Sequence, residues 1–219
     1  MDKLSTAQLV AVWFIPVLFA ITLHEVAHGW VASKCGDLTA KLLGRLSLNP
    51  LKHIDPIGTI ALPALLIITH AGFVFGWAKP VPVNHFNLNN PRRDMAIVAA
   101  AGPLSNLLMA IIWAAGLKVG IYLAHTQSPI GLWLVYSSQA GMMINIWLMV
   151  LNLIPIPPLD GSRVVASLLT SKAAQIYGRI EPFGIIILLV LVYTNILTAM
   201  IAQPVEFVFS AIMNLFQLT

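Results

Sequence analysis

Residues 4–33 read LSTAQLVAVWFIPVLFAITLHEVAHGWVAS, an apolar run that carries two histidines and a glutamate near its end. As a helix this run measures about 45 Å, which exceeds the roughly 30 Å hydrocarbon layer of a bilayer. No small-residue cleavage site follows a short apolar core, so we expect the run to remain in the mature protein. The sequence therefore predicts a membrane-spanning helix from Leu4 to Ser33 whose end emerges into the interface.

The composition of the whole chain agrees with a membrane location. Of 219 residues, 58% are hydrophobic and 9% are charged, whereas soluble domains carry about 25% charged residues. This excludes an ordinary soluble enzyme. The net charge of +4 is small and the basic residues form no long block, which argues against nucleic acid as a partner. A single cysteine, Cys35, excludes a disulfide framework and a zinc site built from cysteines.

Further apolar runs indicate more membrane helices. We expect an all-α polytopic membrane protein with about five to six transmembrane or re-entrant helices, forming one integral-membrane domain over residues 1–219. A weakly alternating stretch from Thr39 to Asn49 predicts a small β-hairpin near the cytoplasmic face. Besides the first helix, the candidate segments are Met95–Leu123, Ile130–Leu151, Phe183–Ile201, the short run Val205–Leu218, and the marginal, Gly- and Pro-containing run 57–75.

The positions of lysine and arginine predict the orientation, because cytoplasmic loops are enriched in them. If residues 57–75 enter the membrane and return on the same side, ten of the twelve Lys and Arg residues lie on one side. We therefore favour a re-entrant or kinked segment there. His28 lies six residues before Lys34, about 9 Å below the cytoplasmic end of its helix.

The strongest chemical signal is the pentapeptide from His24 to His28, His-Glu-Val-Ala-His. Four residues advance a helix by slightly more than one turn, so both imidazoles lie on one face and can reach one zinc ion. Glu25 projects beside them, where a carboxylate can act as general base toward a water molecule on the metal. Three ionisable residues within a membrane helix are costly without a partner such as a metal.

A second polar segment, Asn152 to Gly161, reads NLIPIPPLDG. Its prolines must break the preceding helix, and irregular backbone at membrane depth is tolerated around a cavity or inside protein. Asp160 can therefore belong to a site, or to a surface turn, and the composition favours the two about equally. Asn106 and Asn152 are candidates for oxyanion or supporting hydrogen bonds, with helix-to-helix hydrogen bonding as the alternative. The segment Lys79–Asn84 is either a plain loop or an edge for a substrate strand.

Three motifs together resemble the site-2 protease family of intramembrane zinc metalloproteases. They are His24–His28, Gly102-Pro103-Leu104-Ser105-Asn106 and Asn152–Gly161, in the family's chain order and within residues 20–165. The resemblance implies one zinc per chain with Asp160 as the third ligand, and Glu25 as the base. The loop Gly76–Asn84 is similar to that of compact bacterial members without a PDZ domain. The apolar insertion at 57–75 departs from the simplest members.

The predicted function is hydrolysis of peptide bonds within or near transmembrane segments of membrane-protein substrates. The resemblance implies a substrate with a transmembrane segment, in contact with the lipid bilayer, and the charge bias places the site toward the cytoplasmic side of a bacterial inner membrane. Residues 183–219 are expected to form accessory helices. Two alternatives stay open: an intramembrane metal transporter, since buried His and acidic residues also mark ion paths, and a proteolytically idle protein that binds membrane helices.

Overall fold

The computed structural model describes residues 4–70, 73 and 76–218. Nine α-helices lie within this part of the chain, together with short 3-10 turns at Pro50–His53, His85–Asn87 and Glu181–Phe183 and a π-helical turn at Pro56–Ala61. The α-helices are α1 (Thr6–Lys34), α2 (Thr39–Leu42), α3 (Leu62–Ile68), α4 (Pro91–His125), α5 (Pro129–Asn152), α6 (Asp160–Leu168), α7 (Ser171–Gly178), α8 (Gly184–Tyr193) and α9 (Ile196–Leu215).

Five helical segments in the described residues are long and apolar enough to cross a membrane: Thr6–Lys34, Pro91–His125, Pro129–Asn152, Ser171–Tyr193 and Ile196–Leu215. The predicted all-α membrane fold is therefore confirmed. The predicted boundary of the helix at Phe183–Ile201 is wrong, because α8 ends at Tyr193. Thr194 donates its hydroxyl to the carbonyl of Val190 at 2.8 Å, and Asn195 adopts a left-handed φ of 59°, which a continuing helix cannot accommodate.

The predicted β-hairpin at Thr39–Asn49 is also wrong, since none of the residues 4–70, 73 and 76–218 forms a strand. Asp37 accepts hydrogen bonds from the amide of Thr39 at 3.0 Å and from its hydroxyl at 2.5 Å. These bonds turn the chain into the short helix α2. Gly44, with a φ of +63°, then redirects the chain, in a conformation that glycine adopts without steric cost.

The marginal run 57–75 forms the π-helical turn followed by α3, while residues 71, 72, 74 and 75 lie outside the described residues. The helical part covers Pro56–Ile68, which is shorter than the roughly 20 residues that a spanning helix needs. The amide of Trp77 donates to the carbonyl of Gly58 at 3.1 Å. Residues 58 and 77 therefore lie side by side.

The core is built on the helical hairpin of α4 and α5, which three residues connect. Ala110 on α4 belongs to the same buried apolar cluster as Met142 and Ile146 on α5. Gly141 allows close packing of the two helices, because a Cβ there would lie 2.3 Å from the indole of Trp113. Helix α1 packs against both α4 and α5, and α6 packs against α4. The polar residues of α1, α4 and α6 are thereby brought to one place.

Candidate metal centre

Helix α1 places His24 and His28 one turn apart on its buried face. Each residue is 8% exposed, and their Nε2 atoms lie 3.1 Å apart. The two rings are nearly perpendicular, with an interplanar angle of 85°. Both histidines therefore aim the same ring nitrogen at one point, as the spacing of four residues predicts.

Asp160 reaches the same point from the first residue of α6. Its Oδ2 atom lies 3.1 Å from Nε2 of His24 and 3.2 Å from Nε2 of His28. The following residue has to be small, because a Cβ on Gly161 would lie 2.3 Å from the carbonyl oxygen of Leu153. The Asp-Gly pair thus lets α6 begin directly against the end of α5, with the carboxylate facing α1.

Hydrogen bonds from outside the cluster assign the tautomers of both histidines. Nδ1 of His28 lies 2.7 Å from the carbonyl oxygen of Val98, which can only accept. Nδ1 of His24 lies 2.6 Å from Oδ1 of Asn106. This oxygen is the acceptor, because the Asn106 amide nitrogen donates to Ala20 and Asn145. Both Nδ1 atoms therefore carry the hydrogen, and both Nε2 atoms present a lone pair.

Three lone-pair atoms thus converge, and this arrangement fits a metal cation. Oδ2 of Asp160 is buried and accepts no hydrogen bond within the described residues, so the mutual repulsion of these atoms calls for positive charge between them. A tetrahedral zinc with bonds of about 2.0–2.2 Å separates its ligand atoms by roughly 3.3–3.6 Å. The observed separations of 3.1–3.2 Å are close to that. In the described residues this is the one group of three such side chains.

Gly102 on α4 brings the next helix against the two imidazoles. A Cβ at this position would lie 2.4 Å from Nε2 of His28 and 2.6 Å from Cε1 of His24. Real Cβ contacts are essentially never shorter than 3.0 Å, so glycine is required for this approach. The motif that begins at Gly102 is visible in the sequence, but its contact with the histidines is not.

Glu25, the residue after His24, makes a contact of a different kind. Its Oε2 atom accepts a hydrogen bond from the amide of Val81 at 2.7 Å, in the loop between α3 and α4. The carboxylate contributes no atom to the set of three, and the backbone of this loop holds it.

The family model described as Peptidase family M50 matches residues 118–195, which include Asp160. The chain is 38% identical over 188 residues to "Putative zinc metalloprotease YwhC" of Bacillus subtilis (strain 168), covering 82% of this chain and 79% of that protein. The chain belongs to peptidase family M50. It is also 28% identical over 198 residues to "Putative zinc metalloprotease Rip2" of Mycolicibacterium smegmatis, covering 88% of this chain and 72% of that protein. No solved structure matches the chain.

Membership of family M50 confirms the resemblance that the three motifs indicated. The protein is an intramembrane zinc metalloprotease, and the predictions of a metallopeptidase and of zinc as its cofactor are confirmed with the family.

The two asparagines predicted as candidate site residues occupy different positions in this M50 protein. Asn106 is fully buried and lies behind His24, and both hydrogens of its amide group are donated, to Ala20 and Asn145. Asn152, in the last turn of α5, donates to the carbonyl of Leu148 at 2.9 Å. The geometry of Asn106 therefore favours a supporting hydrogen bond over direct contact with an oxyanion.

Sequence reasoning missed Asn145, which is fully buried in α5. Its Oδ1 accepts from Asn106 at 2.9 Å, and its own amide group donates to the carbonyl of Gly141 at 2.8 Å. Hydrogen bonds thus run from His24 through Asn106 to the backbone of α5. A polar residue in an apolar membrane helix is a signal that could have identified it.

Proposed function

We propose that His24, His28 and Asp160 are the zinc ligands of this protease and that Glu25 is its general base. The observation that carries the proposal is the convergence of three lone-pair atoms at 3.1–3.2 Å, with both Nδ1 hydrogens donated elsewhere. Two histidines and a carboxylate leave one position of a tetrahedral zinc for a reacting group, as catalytic sites require.

When bound, zinc acidifies the attacking water and polarises the scissile carbonyl. Glu25 takes a proton from that water and later donates it to the leaving amine nitrogen. Its Oε2 atom is engaged by the amide of Val81, which fixes the orientation of the carboxylate and leaves Oε1 to handle the proton. Asn106 and the carbonyl of Val98 hold the two imidazoles in the tautomer that ligation requires.

The proposed substrates are membrane proteins with a transmembrane segment. In such a segment every backbone carbonyl is shielded within the helix, so local unwinding must precede attack. We further propose that the site faces the cytoplasmic side of a bacterial inner membrane and that residues 1–219 act as one domain. The bias of Lys and Arg toward the end of α1 that carries Lys34 supports this orientation, and the two relatives named above are bacterial.

The first test compares purified wild-type protein with Glu25→Gln on a panel of single-span model substrates. We expect one zinc per chain in both proteins and cleavage by the wild type alone, because glutamine keeps the shape of the side chain but cannot accept the proton. Glu206→Gln is the matched control, since Glu206 is an exposed glutamate on α9. Cleavage by Glu25→Gln at the wild-type rate would refute the assignment of the base.

A further inference from the structure

The backbone groups of the segment Lys79–Val81 are hydrogen-bonded to the residues around them. The amide of Lys79 donates to the carbonyl of His53 at 2.9 Å. Nη2 of Arg45 donates to the carbonyls of Lys79 at 3.0 Å and Pro80 at 3.3 Å. The amide of Val81 donates to Oε2 of Glu25 at 2.7 Å. Arg45 and Glu25 therefore hold neighbouring groups of the same short segment.

One planar peptide group joins Arg45 to Glu25. The carbonyl of Pro80 and the amide of Val81 belong to the same peptide bond, and in a trans peptide these two groups point in opposite directions. A guanidinium thus binds one edge of the plane, and a carboxylate binds the other. Each hydrogen bond polarises the peptide in the sense that strengthens the other. The orientation of this peptide plane sets the direction of the hydrogen bond that Glu25 accepts from Val81.

The neighbouring sequence leaves Val81 as the donor that faces Glu25. Pro80 and Pro82 lack an amide hydrogen and fix their own φ, so the segment can offer this amide alone between Lys79 and Val83. Side-chain packing supports the same placement. A Cβ on Gly29, one turn beyond Glu25, would lie 2.7 Å from Cγ1 of Val81 and 2.6 Å from Cδ2 of Leu46. The residue after Arg45 and the residue that binds Glu25 therefore pack on the same spot of α1.

We infer that Arg45 is a positioning residue for the general base, acting on Glu25 through the Pro80–Val81 peptide group. The inference rests on the proposed role of Glu25. Arg45 itself lies two hydrogen bonds away from the carboxylate and does not contribute to the metal cluster. Its removal frees the peptide plane to rotate, and the carboxylate then loses its fixed orientation while the histidines keep theirs.

The test uses the full-length protein with Arg45→Ala, Arg45→Lys and the control Lys52→Ala. Lys52 is an exposed cation of the same region, and its Nζ donates to the carbonyl of Gly44 at 3.0 Å. For Arg45→Ala we expect kcat to fall by about 10- to 100-fold, the order of loss that follows a small misplacement of a reacting group. KM should stay within about 3-fold and zinc should remain at one per chain, because substrate binding and ligation do not use this contact.

The conservative variant and the control separate positioning from general stability. Arg45→Lys retains a cation that can donate to one of the two carbonyls, so part of the lost kcat should return. Lys52→Ala should behave as the wild type. Loss of zinc from Arg45→Ala would overturn the inference, because Arg45 would then support the whole site. An unchanged kcat, or a rise in KM alone, would overturn it as well.

A double-mutant cycle tests the route through the peptide group. Val81→Pro removes the amide hydrogen, whereas Val81→Ala keeps it and removes only the side-chain packing. If Arg45 acts through this amide, Arg45→Ala should lower kcat much less in the Val81→Pro protein than in the Val81→Ala protein. Equal losses in both backgrounds would refute the route. Glu25→Gln run alongside distinguishes the two proposals, because activity in that variant would refute the role of Glu25 itself.

Discussion

His24 and Glu25 are adjacent in the sequence, but two different kinds of structure hold their side chains. His24 and its partner His28 are fixed from α4, by Asn106 and by the carbonyl of Val98. Glu25 is fixed from a loop of irregular backbone, by the amide of Val81. The ligand side of the site is thus a product of helix packing, whereas the base side depends on a loop fixed by polar contacts.

This difference means that zinc binding and proton transfer can fail separately. A change in the packing of α1 against α4 displaces the imidazoles and affects zinc content first. A change in the loop leaves the three ligand atoms in place and affects the rate of catalysis. Zinc content should therefore respond to substitutions on the ligand side, and kcat to substitutions on the base side.

The largest effect on the ligand side is expected from Gly102→Ala. The new Cβ would lie 2.4 Å from Nε2 of His28, so either the helices separate or both rings turn. We expect zinc affinity to fall by about 100-fold or more, at the upper end of what displaced support of a ligand costs, and cleavage to fall with it. Zinc competition with a chelator measures this. Gly178→Ala is the matched control, since a Cβ at Gly178 has no neighbour within 4 Å.

A smaller effect is expected from Asn106→Ala, which removes the acceptor that fixes the tautomer of His24. Loss of such a supporting hydrogen bond lowers metal affinity by about 10- to 100-fold. Asn145→Ala acts one hydrogen bond further away, so we expect a loss below about 10-fold. The exposed Asn214 on α9 provides the control as Asn214→Ala. A loss from Asn145→Ala as large as that from Asn106→Ala would show that the asparagine pair acts as one unit.

The ligand side of the site, which helix packing forms, was also the part that could be predicted from the sequence. Apolar runs and the spacing of His24 and His28 follow from local rules, namely the length of a membrane helix and its period of 3.6 residues. The resemblance then placed Asp160 with them, and the structure brings all three together. The all-α membrane fold was predicted from the same local rules, and the family from the resemblance of the three motifs.

The loop side could not be predicted in the same way. The contact between Glu25 and Val81 joins residues 56 positions apart, and no local pattern encodes it. The weak alternation at Thr39–Asn49 predicts a hairpin that does not form. The side-chain hydrogen bonds of Asp37 that favour a helical turn are not visible as periodicity. The end of α8 depends on the left-handed Asn195, a conformation that an apolar run does not reveal.

The smallest effect on the metal site is expected at Asp37, which binds Asn84 and Asn87 near the end of the loop that precedes α4. Its buried carboxylate accepts hydrogen bonds from the amide of Asn84 at 2.6 Å and from the side chain of Asn87 at 3.1 Å. Burial alone would raise the pKa of Asp37, but the hydrogen bonds from Thr39, Asn84 and Asn87 outweigh it and lower the pKa below its ordinary value of 3.8.

Because the pKa of Asp37 is lower in the folded protein than in the unfolded chain, the ionised carboxylate stabilises the fold. The carboxylate contributes its full stabilisation above the unfolded pKa near 3.8, and this contribution is lost as the pH falls through the lower, folded value. Asp37→Asn places an amide group among donors and should cost about 1–3 kcal/mol at neutral pH. We therefore expect the wild type and Asp37→Asn to differ in Tm by a constant amount down to about pH 4 and to converge below it.

The zinc content of Asp37→Asn tests whether the ligand side and the base side of the site are independent. If the loop is attached independently of the ligands, Asp37→Asn should retain zinc at neutral pH while its kcat decreases modestly, with Glu206→Gln as the exposed control. A Tm difference that persists unchanged into acid would mean that another group carries the stabilisation. Loss of zinc from Asp37→Asn at neutral pH would mean that the loop also supports the imidazoles, and the separation of ligand side from base side would then be wrong.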